Sequence, residues 1–240
     1  IGDKPFISRH IANTHTLFNL VNAIIFLPLI GVLAKISTMA IRGRDKEVEV
    51  HLKYLDNRVL NTPPIALAQA RSETRRMARV ALEMVDETLA FLKDNDLKRL
   101  PALEKKEVLT DALQKEITNF LVSLSQKSIT QESSQEVASM MHMVNDLERV
   151  GDYCENLWLL SQRKLDQKIT FSAIAMNEIA EISEVTRSFL ARIVKALEEK
   201  DLEVYAEAQR LEDAIDDLEE RLRNNHIRRL NTGECTVNSG

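Results

Sequence analysis

The stretch Met140–Leu160, MMHMVNDLERVGDYCENLWLL, decides the fold. Its apolar seam runs Met140, Val144, Leu147, Gly151, Cys154 and Trp158, in alternating steps of four and three. That spacing keeps the stripe on one side of a 3.6-residue helix, as in a helix packed within a bundle. Glu148 and Asp152 each follow a seam position by one residue, so their carboxylates stack one turn apart beside the buried stripe. Like charges at this spacing repel weakly, and a cation between them would offset the cost.

The rest of the chain is consistent with helices throughout. With 44% hydrophobic and 29% charged residues it has material for a large core. Six glycines, five prolines and 5% aromatics leave few turn signals and little strand character, which makes the fold class all-α. A net charge of −5 argues against a nucleic-acid partner. Cys154 and Cys235 do not make a disulfide framework and suit a reducing compartment. No two of His10, His15, His51, His142 and His226 have zinc-site spacing. The chain opens on Ile1 without a secretory-signal layout, which reads as a fragment or processed product.

From Ile11 to Ala34 there is no Asp, Glu, Lys or Arg. At ~1.5 Å per residue this run exceeds the ~30 Å hydrocarbon core of a bilayer, so one transmembrane helix is expected. The alternative, a buried core helix, needs apolar neighbours on every side, and no other stretch supplies them. Lys35, Arg42, Arg44 and Lys46 follow the run while only Lys4 and Arg9 precede it, which favours a cytoplasmic carboxy-terminal side. Asn19 and Asn22 are costly against lipid and are expected to face other spans. Residues 1–41 are therefore read as the last membrane segment of a transporter, 42–61 as a charged connector, and 62–240 as a helical domain.

Within that domain five helices are predicted. Thr62-Pro63-Pro64, a hydroxyl cap followed by proline, opens one that runs to about Lys93, with Ala81, Met84, Val85, Leu89 and Leu92 inward. The second spans about Leu100–Gln126, with Leu113, Ile117, Phe120 and Leu124 inward, and a polar turn over Gln126–Ser134 follows. The third covers about Gln135–Gln162, the fourth Phe171–Lys200 and the fifth Leu202–Leu230, the last with Leu211, Ile215, Leu218 and Leu222 on its seam. The first two helices and their link repeat in the last two at a constant shift of 105 positions, with Asp96-Leu97 falling on Asp201-Leu202 and Leu113 on Leu218. Repeat 1 covers about 62–165 and repeat 2 about 166–240, the second without a counterpart of the third helix.

Three Glu-x-x-x-Asp pairs stand out: Glu107/Asp111, Glu148/Asp152 and Glu212/Asp216. With 37 acids in 240 residues, chance alone makes about six acid pairs at this spacing, so one pair means little. Glu107/Asp111 falls on Glu212/Asp216 under the repeat, and every pair flanks a seam in the same way. If the second and third helices form an antiparallel hairpin, the first two pairs lie level, because their midpoint falls at about residue 130, inside the predicted turn. Up to four carboxylates then converge, a set that suits a hard cation such as Fe, Mn, Mg or Ca. His142 is a weaker candidate ligand, and Met140, Met141, Met143 and Trp158 read as core. No Gly-rich phosphate loop, Ser/His/Asp arrangement or Cys/His couple is present, so the chain is not read as an enzyme.

The run Asp146-Leu-Glu148-Arg149-Val-Gly151-Asp152-Tyr-Cys-Glu-Asn156 resembles the LERxGDxxxN-like signature of the PhoU family over about residues 60–230. The resemblance implies tandem three-helix bundles, a role in phosphate signalling and transport regulation, and metal clusters at the three pairs named above. Ala12-Asn-Thr-His15-Thr-Leu-Phe18-Asn19, leading into the apolar run, is similar to the final membrane segments of bacterial sodium/phosphate cotransporters, some of which carry a PhoU-like domain after the membrane region. This similarity implies a multi-pass protein of the bacterial inner membrane that moves inorganic phosphate with sodium through an upstream membrane domain. Self-association is left open. The glutamine- and serine-rich repeats that hold phosphate and sodium in that family are absent here, so no transport-site residue is carried over. A membrane-anchored PhoU-like adaptor without transport activity is the alternative, and a carboxylate–metal enzyme a third.

Overall fold

The computed structural model describes residues 13–26, 29, 52–199, 201 and 203–235. The chain forms two units, Ile1–Glu47 and Val48–Gly240. In the first, residues 13–26 are helical, and Leu17, Phe18, Leu20, Ile24, Ile25 and Phe26 expose their side chains. At ~1.5 Å per residue the described stretch 13–26 is about 21 Å long. Among the described residues no helix is long and apolar enough to cross a membrane. Most of the remaining expected span and the basic residues after it lie outside the described residues.

In the second unit the helices are α1 (Pro63–Asp94), α2 (Leu100–Ser125), α3 (Gln131–Asp166), α4 (Ala173–Glu199) and α5 (Tyr205–Asn231), with no strand among the described residues. The all-helical expectation for this region is met. Pro63 and Pro64 start α1 because their fixed φ suits the first turn, where the missing N–H groups cost nothing. Thr62 holds the N-cap position, but its hydroxyl makes no cap bond, contrary to the expected cap. Asn95 ends the helix at φ 55°, a left-handed geometry that asparagine tolerates. Helix α3 begins four residues earlier than expected, because the Thr130 hydroxyl accepts from the Ser133 N–H at 3.2 Å. The residues Gln131–Ser134, polar enough to read as turn, form its exposed first turn.

Helices α1, α2 and α3 form a three-helix bundle. Its core joins Met77, Ala81, Leu113, Ile117 and Val144 at one end to Phe91, Leu103, Cys154 and Trp158 at the other. Every residue of the opening seam is buried. On α1 the seam shifts: Ala81 and Met84 are buried, while Val85, Leu89 and Leu92 are only half-buried, and Thr88 and Phe91 take the inward positions. The displaced residues face α4, which packs antiparallel on α1 through Arg187–Asp86 at 2.5 Å and Arg79–Glu198 at 2.9 Å.

The described part of the connector, residues 52–61, is folded onto the domain. Leu52, Leu55, Val59 and Leu60 pack on the core. The fully buried Glu73 of α1 accepts from the Lys53 N–H at 3.0 Å and the Tyr54 N–H at 2.7 Å, and Arg76 pairs with its other oxygen at 2.5 Å. A buried carboxylate is tolerable only with partners of this kind.

The 105-position shift is visible in the helices themselves. Asp94, the end of α1, maps to Glu199, the end of α4, and Leu100 maps to Tyr205, the start of α5. The links share a cap: Asp96 accepts from the Lys98 N–H at 3.1 Å and Asp201 from the Glu203 N–H at 2.9 Å. Repeat 2 is more open than repeat 1. On α5 Leu218 is buried, but Leu211, Ile215 and Leu222 are half-buried. Arg229 ties α5 to α4 instead, donating to both oxygens of Glu178 at 3.0 and 2.6 Å.

Candidate metal centre

Helices α2 and α3 run antiparallel, and the hydrogen bond from Gln114 to Asn145, 3.0 Å long, marks the level at which they meet. One turn away the acidic flanks converge. Carboxylate oxygens of Asp111, Glu148 and Asp152 all lie within 4.8 Å of one another. Asp111 and Asp152 are exposed and Glu148 half-buried. The seams hold these flanks in register, since Leu113 and Leu147 are buried two and one residues from the acids.

Glu107, one turn along α2, adjoins the group. Its carboxyl is pushed up to about 7, first by burial and then by the charges of Asp111, Glu155 and Asp152. Protonated Glu107 donates a hydrogen bond to Asp111, which opposes the upward push on Asp111 from burial and the Asp152 charge. Burial and the charges of Asp152 and Asp111 also raise Glu148, with Arg149 pulling weakly the other way. Such raised values mean the repulsion is not relieved within the protein. Lys106, the nearest lysine in sequence, is engaged elsewhere, with Glu83 at 2.7 Å and Glu87 at 2.8 Å.

The residues fit a hard cation. An ion bonded to carboxylate oxygens at about 2.0–2.6 Å requires those oxygens to lie within about 5 Å of each other, as they do here. The donors are all oxygen, which disfavours soft metals. When bound, such an ion would offset the mutual repulsion of the cluster, held by Asp111, Glu148 and Asp152 with Glu107 beside them. His142 is exposed and outside the group. Glu212 and Asp216 are exposed on α5, and no metal-capable group among the described residues includes them. Helix α3 is what completes the first centre, and neither α4 nor α5 supplies the equivalent flank. Glu155 was not foreseen as part of the site, although it shares the stripe of Glu148 and Asp152, seven and three positions on.

The expected close approach at Gly151 is mild. A Cβ there would meet Thr110 Cγ2 at 3.4 Å and Met84 Cε at 3.6 Å, ordinary contact distances. Three cavities of about 400 to 470 Å³ lie against α1, and none is lined by the clustered carboxylates.

The PhoU domain family matches residues 74–158 and 179–239, which covers the bundle, the cluster and the α4–α5 hairpin. The chain belongs to the PhoU family. Among curated proteins it is 26% identical over 167 residues to the Escherichia coli (strain K12) protein named "Putative inorganic phosphate export protein YjbB", covering 69% of this chain and 31% of that one. It is 25% identical over 174 residues to the "Phosphate-specific transport system accessory protein PhoU homolog" of Clostridium acetobutylicum (strain ATCC 824), covering 72% of this chain and 78% of that one. The chain thus spans less than a third of the length of the YjbB relatives. No solved structure matches. The Asp111, Glu148 and Asp152 cluster lies within the matched residues.

Proposed function

We propose that these residues form the carboxy-terminal part of a sodium-dependent phosphate transporter of a bacterial inner membrane. In this reading residues 1–41 carry its last membrane helix, and the PhoU-family domain is a cytoplasmic, non-catalytic regulator that binds a hard metal ion. The observation that carries it is the order of features: an uncharged apolar run precedes a PhoU-family domain with convergent carboxylates. Similarity to a longer protein named for inorganic phosphate export supports the phosphate part of this reading. Upstream helices would move the ion, and the domain would gate them through its metal-dependent charge.

Phosphate flux in cells carrying the full-length protein tests the transport half. Flux that disappears without sodium is expected; absent or sodium-independent flux rejects it. Elemental analysis of the purified 240-residue chain tests the metal half. Replacing Glu148 and Asp152 together by alanine is expected to abolish bound metal, and unchanged metal content would mean the site is elsewhere.

A second reading is favoured by the match to the accessory PhoU homologue, which extends over most of that protein. There the chain is a membrane-anchored adaptor in phosphate signalling with no transport of its own. Metal binding without phosphate flux from the full-length protein would select it.

A further inference from the structure

A half-open cavity of about 410 Å³ lies between α1, α3, the end of α4 and the link to α5. That is within the roughly 300–1,000 Å³ of small-molecule sites. Its walls are apolar, formed by Met140 and Met143 of α3 with Ile193 and Leu197 of α4. Both acids at its rim are paired inside the protein. Arg71 holds Glu136, with Nη2 at 2.7 Å from Oε2, and Arg192 holds Asp201 at 2.6 Å. Arg192 is shared, meeting Glu207 at 2.6 Å as well, whereas Arg75, half-buried in the same wall, has no ion-pair partner among the described residues, so its guanidinium is the charge open to a ligand.

Beside it sits an unused donor. Thr74 is 3% exposed, and its hydroxyl makes no hydrogen bond. A helical threonine commonly bonds the carbonyl one turn back. Thr110 does so with Lys106 O at 2.9 Å, and Thr74 does not. An unpaired buried hydroxyl costs stability, and a ligand seated against Thr74 would recover that cost.

We propose that this cavity binds a small amphipathic monoanion, a fatty carboxylate of medium chain length. The chain lies along the Met143 and Leu197 wall, and the carboxylate accepts from Arg75 and the Thr74 hydroxyl. The apolar walls exclude an inorganic anion as the best occupant, because its remaining hydration would be lost against methionine and leucine. None of the clustered carboxylates of α2 and α3 lines this cavity, so its occupancy and the metal reading stand or fall separately.

Calorimetric titration of the full 240-residue chain with octanoate, octan-1-ol, acetate and inorganic phosphate tests it. Saturable one-site binding of octanoate is expected, with acetate and phosphate at least tenfold weaker. Arg75→Gln should weaken octanoate about tenfold while leaving octan-1-ol unchanged, since only the anion uses the guanidinium. Thr74→Val should weaken octanoate and raise the melting temperature of the unliganded chain. No saturable octanoate binding, equal loss of acid and alcohol in Arg75→Gln, or phosphate binding as tightly as octanoate would each overturn the proposal.

Discussion

Glu107→Gln isolates the electrostatic cost built into the carboxylate cluster. The Glu107 carboxyl, at about 7 in the folded chain against 4.5 ordinarily, is raised by folding. The native state therefore binds more protons than the unfolded state between those values, and stability falls as pH rises through that window. Below about pH 4.5 the penalty is absent, and above about pH 7 it is fully present. Each pH unit of displacement corresponds to 1.36 kcal/mol at most. Solvent screening at this half-buried site reduces the total to about 1–2 kcal/mol. Glutamine keeps the shape and removes the charge. In the presence of a chelator, urea denaturation at pH 8 should show the variant more stable than the wild type by about 1 kcal/mol. At pH 4.5 the two should coincide. Adding a divalent cation should narrow or reverse the difference at pH 8, because the metal offsets the same repulsion. A variant less stable than wild type at pH 8 in chelator, or a difference equal at both pH values, would refute the reasoning.

Other perturbations probe the frame around the site. Gly151→Ala should be neutral or stabilise by up to about 1 kcal/mol, because alanine favours the helix and its Cβ meets only ordinary contacts; a loss above that amount in urea denaturation would show the seam to be tighter than its distances indicate. Glu73→Ala should destabilise by about 3 kcal/mol, since it strands two connector N–H groups and removes the buried ion pair with Arg76. Hydrogen exchange should then speed at Lys53 and Tyr54; slow exchange there would mean the connector is held by its leucines alone. Phe91→Ala should cost about 3–5 kcal/mol, as expected for a fully buried ring between α1, α2 and α3. Leu211→Ala, on the open face of α5, should cost under about 1 kcal/mol, and a larger cost would show that face to be covered in solution.

Much of the candidate site was legible before any coordinates because it rests on two periodicities. The four-three seam of Met140–Trp158 sets which flank of α3 carries Glu148 and Asp152. The hairpin midpoint sets the level of Asp111, and the Gln114–Asn145 bond lies on the same midpoint. Glu155 and the raised Glu107 carboxyl were not legible, because both depend on distances across α2 and α3 rather than along either helix. The Glu212/Asp216 pair looks equivalent in one dimension and differs in three, because among the described residues it joins no metal-capable group.

By itself, then, the sequence determined the helices, their seams, the 105-position repeat and the acids beside the seam. These follow from local chemistry: apolar spacing, proline at helix starts, and like-charged pairs one turn apart. Only the tertiary structure decided which seam positions are covered. Val85, Leu89 and Leu92 turn outward toward α4, the connector is clamped by a buried glutamate 20 positions away from Lys53, and Thr74 is left buried next to an arginine with no ion pair among the described residues. Each of these depends on which helices meet, and burial of a side chain is a property of its neighbours, not of its place in the chain.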